Sequence, residues 1–380
     1  MSQYKYLIKN PILNVFLFIG KLCKNIFNKK FDKKIKNVLV FQTGGIGDVI
    51  RIFPIIESLK KGFPDVKVSV FTEFDKGFFK AMGISNIIDE FYIFDPNFGY
   101  LKKISLIYKL HKKDFDLIIS TSRGDGMIEC SIMAFLIGAP FRVGFFMDGA
   151  GFLYTHKLDF CKDVPIIEQN ISLLKMLDLT DCKKNISISC KTGVIKKFLP
   201  KKDDSFLIAI HPFVRNHEKE RAWPLSKFIE LTRRLQHLYD PYIFILGSKR
   251  ESKKASEFDS VFSSNRKIKN LVGKTTISEV MAILKSSDLF IGNDSGLLHI
   301  ANLFKVPSIG IFGSTSPRQV LSAEDNCIPI IKNFPCQPCY FHQPLFNHKC
   351  PYSYRCLDSI SVADVIEKIN LILLNLKKQK

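Results

Sequence analysis

Between Lys36 and about Thr192, short runs of apolar residues alternate with stretches whose apolar residues recur every third or fourth position. The runs are Val38–Gln42, Val66–Phe71, Ile87–Phe94 and Phe115–Thr121, and the periodic stretches are Asp48–Lys61, Leu101–Lys112 and Met127–Ile137. Apolar runs rich in β-branched and aromatic residues read as strands, and the longer period reads as helices. The second half repeats the scheme. Its runs are Phe206–His211, Tyr242–Gly247, Asn270–Gly273, Asp288–Gly292 and Ser308–Phe312, with helical patterns at Lys227–Leu238, Glu251–Phe262, Ile277–Lys285 and Gly296–Phe304. Strands apolar on both faces and joined by helical crossovers form parallel sheets covered on both sides.

The pattern therefore predicts the α/β class, with two doubly wound, Rossmann-like domains at 36–192 and 205–358. The Lys-rich stretch Cys190–Asp204 reads as the linker. Residues 359–380 hold an amphipathic helix, Val362–Leu376, for which packing back on the N-terminal domain is one arrangement. Two such domains are expected to face each other across a cleft at the carboxyl ends of their sheets, where ligands bind beside helix N-termini.

Residues 1–35 form a separate, basic extension. Ile12, Val15, Phe16, Ile19, Leu22, Cys23, Ile26 and Phe27 share one helix face, and Lys21, Lys24, Lys29 and Lys30 crowd its end. The uncharged run Asn10–Gly20 is too short to span a bilayer. A secretory signal is disfavoured: no small-residue cleavage site follows, and Lys21 and Lys24 interrupt its place. Two readings stand, a helix lying on the anionic cytoplasmic face of a membrane or a helix packed on the first domain.

Composition narrows the function classes. Of 380 residues, 46% are hydrophobic, which excludes a disordered chain, and no apolar run is long enough for a transmembrane helix. Fifty-six Lys and Arg against 36 Asp and Glu leave a net charge of +20. Such a surplus attracts phosphorylated substrates, anionic lipid or nucleic acid, or is a solvated Lys-rich surface. No RNA-binding motif, zinc-finger spacing or basic heptad is present, so nucleic acid is not an expected partner.

Candidate chemistry lies just after the strands. The first runs into Thr43-Gly44-Gly45-Ile46-Gly47-Asp48, where Gly45 and Gly47 let the backbone approach a ligand and Asp48 opens a helix. By residue type alone Asp48 also suits a helix N-cap. Asp288–Gly292 runs into Asn293-Asp294-Ser295-Gly296-Leu297-Leu298-His299. The free N–H groups of such a helix start, with a glycine at position 296, suit an anion. His211-Pro212 ends another strand, followed by Arg215, His217, Lys219 and Arg221. Glu251, after Gly247, suits either a ribose diol or an ordinary first helical turn.

Taken together, Gly47-Asp48 with Pro54 six residues on, Arg221-Ala222-Trp223-Pro224, Gly247 with Glu251, and Asp294-Ser295-Gly296-Leu297-Leu298-His299-Ile300-Ala301 resemble glycosyltransferase family 9, the lipopolysaccharide core heptosyltransferases. The resemblance runs in order from about Lys36 to Asn370. It implies a GT-B fold and a metal-independent, inverting transfer of heptose or a related sugar. The implied donor is an ADP-sugar, and the implied acceptor is an anionic, lipid-linked core oligosaccharide at the inner face of the cytoplasmic membrane. Carried onto this sequence, it makes Asp48 the general base. Arg221 stands where the family usually has Lys, near the donor phosphates; Glu251 matches the ribose carboxylate. Thr275 falls near the adenine. Ser295, where Thr is common, and Gly296 hold the diphosphate, while Asp294 and His299 lie near the sugar and phosphates. Phe213 stands where many members have Gly. Other readings are a nucleotide-sugar epimerase on the same fold, or a non-catalytic membrane-associated binder of nucleotide sugar or nucleic acid.

Cys336, Cys339, Cys350 and Cys356 have spacing that suits a structural zinc, with reduced, packed thiols as the alternative and a disulfide as the minor one. Some members of the resembled family carry a similar cluster. No catalytic metal or cofactor is expected.

Overall fold

The computed structural model describes residues 11–24, 34–123, 125–182, 188, 195, 197–198, 206–215, 219–339 and 350–378. They divide into two compact units, each built on its own six-stranded sheet. The expected linker lies almost wholly outside the described residues.

The first unit contains α1 (Pro11–Leu22), β1 (Asn37–Gln42), α2 (Ile46–Ile50), α3 (Phe53–Gly62), β2 (Lys67–Thr72), α4 (Lys76–Ala81) and β3 (Glu90–Ile93). It continues with α5 (Tyr100–His111), β4 (Leu117–Ser120), α6 (Asp125–Ile137), β5 (Phe141–Phe146), β6 (His156–Asp159) and α7 (Ile166–Lys175). The strand order is β3-β2-β1-β4-β5-β6, all parallel. β1 is central: Val38 stands opposite Val68 on one side and Leu117 on the other. Leu39, Phe41, Phe71, Ile118 and Tyr154 form the core beneath α5 and α6.

One long helix was expected over Asp48–Lys61, but two form. Pro54 lies in the first turn of α3. Its missing N–H and its ring are compatible with a helix start and not with a helix interior, so α2 ends and the chain restarts.

α1 is packed on the first unit, the second of the two arrangements expected for it. Leu17 is buried. A Cβ at Gly20 would lie 2.3 Å from the Gly149 carbonyl oxygen, and one at Gly149 would lie 2.0 Å from that of Leu17. Two glycines thus let helix and turn approach at backbone distance. Lys24 pairs with Asp159 at 2.6 Å. Val15, Phe18, Ile19 and Leu22 nevertheless remain exposed. The basic run that follows, with Lys29 and Lys30, lies outside the described residues. No helix among those described is long and apolar enough to cross a membrane.

The second unit contains β7 (Leu207–His211), α8 (Leu225–Tyr239), β8 (Tyr242–Ile245), α9 (Ser252–Phe262), β9 (Ile268–Asn270), α10 (Ile277–Lys285) and β10 (Leu289–Asn293). It ends with α11 (Gly296–Leu303), β11 (Ser308–Ile311), α12 (Pro317–Val320), β12 (Cys327–Ile330), α13 (Arg355–Asp358) and α14 (Val362–Lys378). The order β12-β11-β10-β7-β8-β9 is again fully parallel. α14 packs within this second unit. Val362, Val365, Ile369 and Ile372 of α14 join the core made by Phe228, Leu231 and Leu235 of α8.

Candidate active site

In the first unit the site is a glycine turn at the carboxyl end of β1. Gln42, the last residue of that strand, is buried. Its amide oxygen accepts from the Gly44 N–H at 2.8 Å, and its Nε2 donates to Thr121 Oγ1 at 2.7 Å. This ties the turn to the end of the neighbouring β4. Gly45, not Asp48, takes the N-cap position of α2, with φ −70° and ψ 179°. The cap reading of Asp48 is thereby corrected: its carboxylate is held by two guanidinium groups. Arg51, one turn further along the chain, reaches Oδ1 at 3.0 Å, and Arg123, just after β4, bonds the same oxygen. Both arginine side chains are nearly buried, while Asp48 keeps 30% of its side-chain exposure. A Cβ at Gly44 would stand 2.6 Å from Asp48 Oδ2. Glycine at 44 is therefore what makes room for the carboxylate.

The carboxyl ends of β7 to β10 assemble the second site. Asp294 follows β10 and is buried. Thr315 Oγ1 donates to its Oδ2 at 2.6 Å, Arg221 Nε lies 3.9 Å away, and His299 Nε2 lies 3.5 Å from Oδ1. Burial raises its pKa, but Arg221, His299 and Thr315 outweigh burial and hold the carboxyl well below the usual carboxylate range. Asp294 is thus an anion locked among donors.

Ser295 is the N-cap of α11, yet its hydroxyl makes no bond to the helix. It pairs instead with Nδ1 of His211 at 2.9 Å. Burial pushes His211 down to about 4, so the ring is neutral at pH 7. With the Ser295 side chain turned to His211, the first N–H groups of α11 and Gly296 have no side chain of the cap over them, which suits an anion. Asn293 fixes the approach of the Arg221 segment. Its Oδ1 accepts from the Trp223 N–H at 3.0 Å, and its Nδ2 donates to the Pro212 carbonyl at 2.8 Å. Trp223 is buried and donates from Nε1 to the Ile360 carbonyl at 3.0 Å.

Glu251 follows β8 and Thr275 follows β9, its neighbour in the sheet. Glu251 closes a capping box: Ser248 donates to its Oε2 from both backbone N–H and hydroxyl, the latter at 2.8 Å. Gly273, with φ +71°, folds the next loop against it, and a Cβ there would touch Ser252 and Lys249. The Gly273 N–H donates to the Gly247 carbonyl at 3.0 Å. The Thr275 hydroxyl is buried in this corner without a hydrogen-bond partner.

The structure thus places Arg221, Glu251, Thr275, Asp294, Ser295, Gly296 and His299 at the strand ends of one sheet, and Gly45, Gly47 and Asp48 at the strand end of the other. Residues that the sequence did not single out are Arg51, Arg123, Gln42, Thr315 and Asn293. Arg51 had a signal, its three-residue spacing from Asp48 on one helix. Arg123 and Thr315 had none, because they arrive through strand order. His217 lies outside the described residues.

Cys336, Cys339, Cys350 and Cys356 are free thiols. Burial first, then the neighbouring thiols, push Cys339 up to about 12, and the same causes raise Cys336 and Cys356. The four are therefore neighbours in space. Among the described residues, no group of three or more His, Cys, Asp or Glu is arranged to hold a metal ion. His342 and His348 lie outside those residues.

The family model for "Glycosyltransferase family 9 (heptosyltransferase)" matches residues 103–349. Asp48 lies ahead of that match. The lipooligosaccharide heptosyltransferase 2 of Campylobacter jejuni is 25% identical over 309 residues, covering 80% of this chain and 90% of its own. The lipopolysaccharide heptosyltransferase 3 of Escherichia coli K12 is 27% identical over 290 residues, covering 71% and 80%. Among solved structures, the ADP-heptose lipopolysaccharide heptosyltransferase II of E. coli superposes with a TM-score of 0.66 at 17% identity, over 90% of this chain and 100% of that one. With its two six-stranded parallel sheets in the GT-B manner, the chain is a glycosyltransferase and belongs to family 9.

Proposed function

We propose that this glycosyltransferase moves heptose from ADP-heptose to a lipopolysaccharide or lipooligosaccharide core acceptor, with inversion and without a metal ion. The observation that carries the reading is the carboxylate of Asp48, set into a glycine turn at a strand end and oriented by Arg51 and Arg123. An inverting transfer needs one base for the acceptor hydroxyl and positive charge for the departing diphosphate.

In this reading the acceptor O–H gives its proton to Asp48. The acceptor oxygen forms its bond to the anomeric carbon on the face opposite the diphosphate. The bond from that carbon to the phosphate oxygen breaks, and ADP leaves with the electron pair. Arg221 and the first N–H groups of α11 stabilise the growing charge on the phosphates, the role a metal ion has elsewhere. Asp294 anchors Arg221 and His299 beside them. Glu251 takes the ribose diol and Thr275 the adenine side. The names of the relatives support the sugar and the core acceptor, and the name of the E. coli structure supports the ADP donor. The lipid-linked acceptor gives the work a place, the inner face of the cytoplasmic membrane.

The test uses the purified full chain with ADP-heptose and a truncated, water-soluble core acceptor. The product is expected to gain one heptosyl residue with the anomeric configuration opposite to that of the donor. Retained configuration, or nucleotide release that needs no acceptor, would overturn the reading.

A further inference from the structure

We infer that α5, with the exposed apolar residues of its neighbour α6, is the surface by which this protein docks on an anionic lipid bilayer. The inference deepens the reading above by naming where a membrane-bound acceptor would be met.

A surface helix ordinarily shows one apolar and one polar face. α5 shows two apolar faces. Leu106, Ile107 and Leu110 pack on the core of the first unit. On the outer side, Leu101, Ile104 and Tyr108 fall at spacings of three and four and, with Tyr100 beside them, are 85%, 61%, 59% and 89% exposed. Covering such side chains is favourable, so a stripe of four left in water marks a surface with a partner.

Charge selects the partner. α5 contains no Asp or Glu. Exposed Lys102, Lys109 and Lys112 flank the stripe, and Lys112 lies 4.5 Å over the Tyr108 ring while Lys102 lies 4.1 Å over Phe98. The nearby acids Glu129 and Glu90 are already paired with Lys103 and Lys113. A second copy of the chain seated here would bring like-charged lysines together. Nucleic acid would use the lysines but leave Leu101 and Ile104 without a role. An anionic bilayer uses all of them: aliphatic groups enter the acyl boundary, tyrosines sit at the interface, and lysines reach the headgroups.

The stripe has company. α6 packs on α5, where His111 Nδ1 lies 2.9 Å from the Ile137 carbonyl, and α6 exposes Phe135 and Leu136.

The measurement is flotation of the full chain with vesicles of phosphatidylcholine alone or with about one-third phosphatidylglycerol. The chain is expected to float with the anionic vesicles and at least tenfold less with the neutral ones. Leu101→Ser with Ile104→Ser, and separately Lys102→Glu with Lys109→Glu, are each expected to cut partitioning about tenfold. Neither pair should change turnover of a water-soluble acceptor, since none of these residues belongs to the site. Undiminished flotation of both variants, no flotation of the parent chain, or a dimer of the parent that the variants dissolve would each overturn the inference. Absence of heptosyl transfer to the soluble acceptor would instead strike the functional reading and leave flotation standing.

Discussion

At the scale of single residues, the site depends on small spaces and fixed charges. Asp48→Asn keeps the shape but removes the base, so kcat for heptosyl transfer should fall by roughly 10²–10⁴ with the donor KM little changed. Gly44→Ala tests the same carboxylate from the other side. The new methyl would stand 2.6 Å from Oδ2, forcing the acid out of place, and kcat should fall although every charged residue remains. Full activity in either variant would remove Asp48 from its role. The second site adds a pH dependence. Burial holds His211 near 4 against its ordinary 6.5. A histidine depressed in the fold binds its proton more readily when unfolded, so stability is complete above about 6.5 and declines as pH falls toward 4. Between pH 7 and 5 the second unit should lose roughly 2 kcal/mol. Asp294 contributes nothing in that window, because its depressed carboxyl gives up stability only below the ordinary carboxylate range. Urea titrations at the two pH values check this, and His211→Gln should flatten the difference.

At the scale of elements, what the sequence showed and hid follows from burial. Central strands announce themselves because both faces are apolar, as in Val38–Gln42 and Asp288–Gly292, which form β1 and β10. Of the edge strands, β3 lies within the apolar run Ile87–Phe94, but the others are weakly marked. β6 reads His-Lys-Leu-Asp and β9 Ile-Lys-Asn, polar because one side meets no partner strand. β12 carries Pro329, tolerated because it too is an edge. β5 was concealed by Arg142 and Gly144, yet Arg142 is buried, its guanidinium donating to the carbonyls of Leu153 and Ala139. The candidate site was legible where its residues fall just after a central strand, as at Asp48 and Asp294. It was illegible where a residue arrives from the end of a neighbouring strand, as with Arg123 after β4 beside Asp48 and Thr315 after β11 beside Asp294. α1 tests how far an element can depend on one atom. Its glycine at 20 faces the carbonyl oxygen of Gly149, which cannot rotate away. Gly20→Val should lift the helix and cost about 1–3 kcal/mol of the first unit's stability, read by thermal unfolding, whereas the same change at Gly99, with open space around it, should cost far less.

At the scale of the whole molecule, the two units stand on separate cores. The core of the first runs from Leu39 to Tyr154 and that of the second from Ile208 to Ile372, with no residue in common. The proposed base belongs to one and every proposed donor contact to the other. Calorimetry should therefore resolve two transitions that answer to different ligands. ADP at about one hundred times its Kd adds roughly 2.7 kcal/mol to whichever unit binds it. For a unit of this size that is a rise of roughly 5–10 °C in one transition. The shifted transition is expected to be the one weakened by Asp294→Asn, since losing that charge leaves Arg221 and His299 without their shared anion. Gly20→Val should move the other transition, and ADP should leave it in place. If ADP instead raised the transition that Gly20→Val lowers, the nucleotide would belong on the first sheet. Asp48 would then lie on the donor's side, and the assignment of the two strand-end sites to acceptor and donor would have to be exchanged.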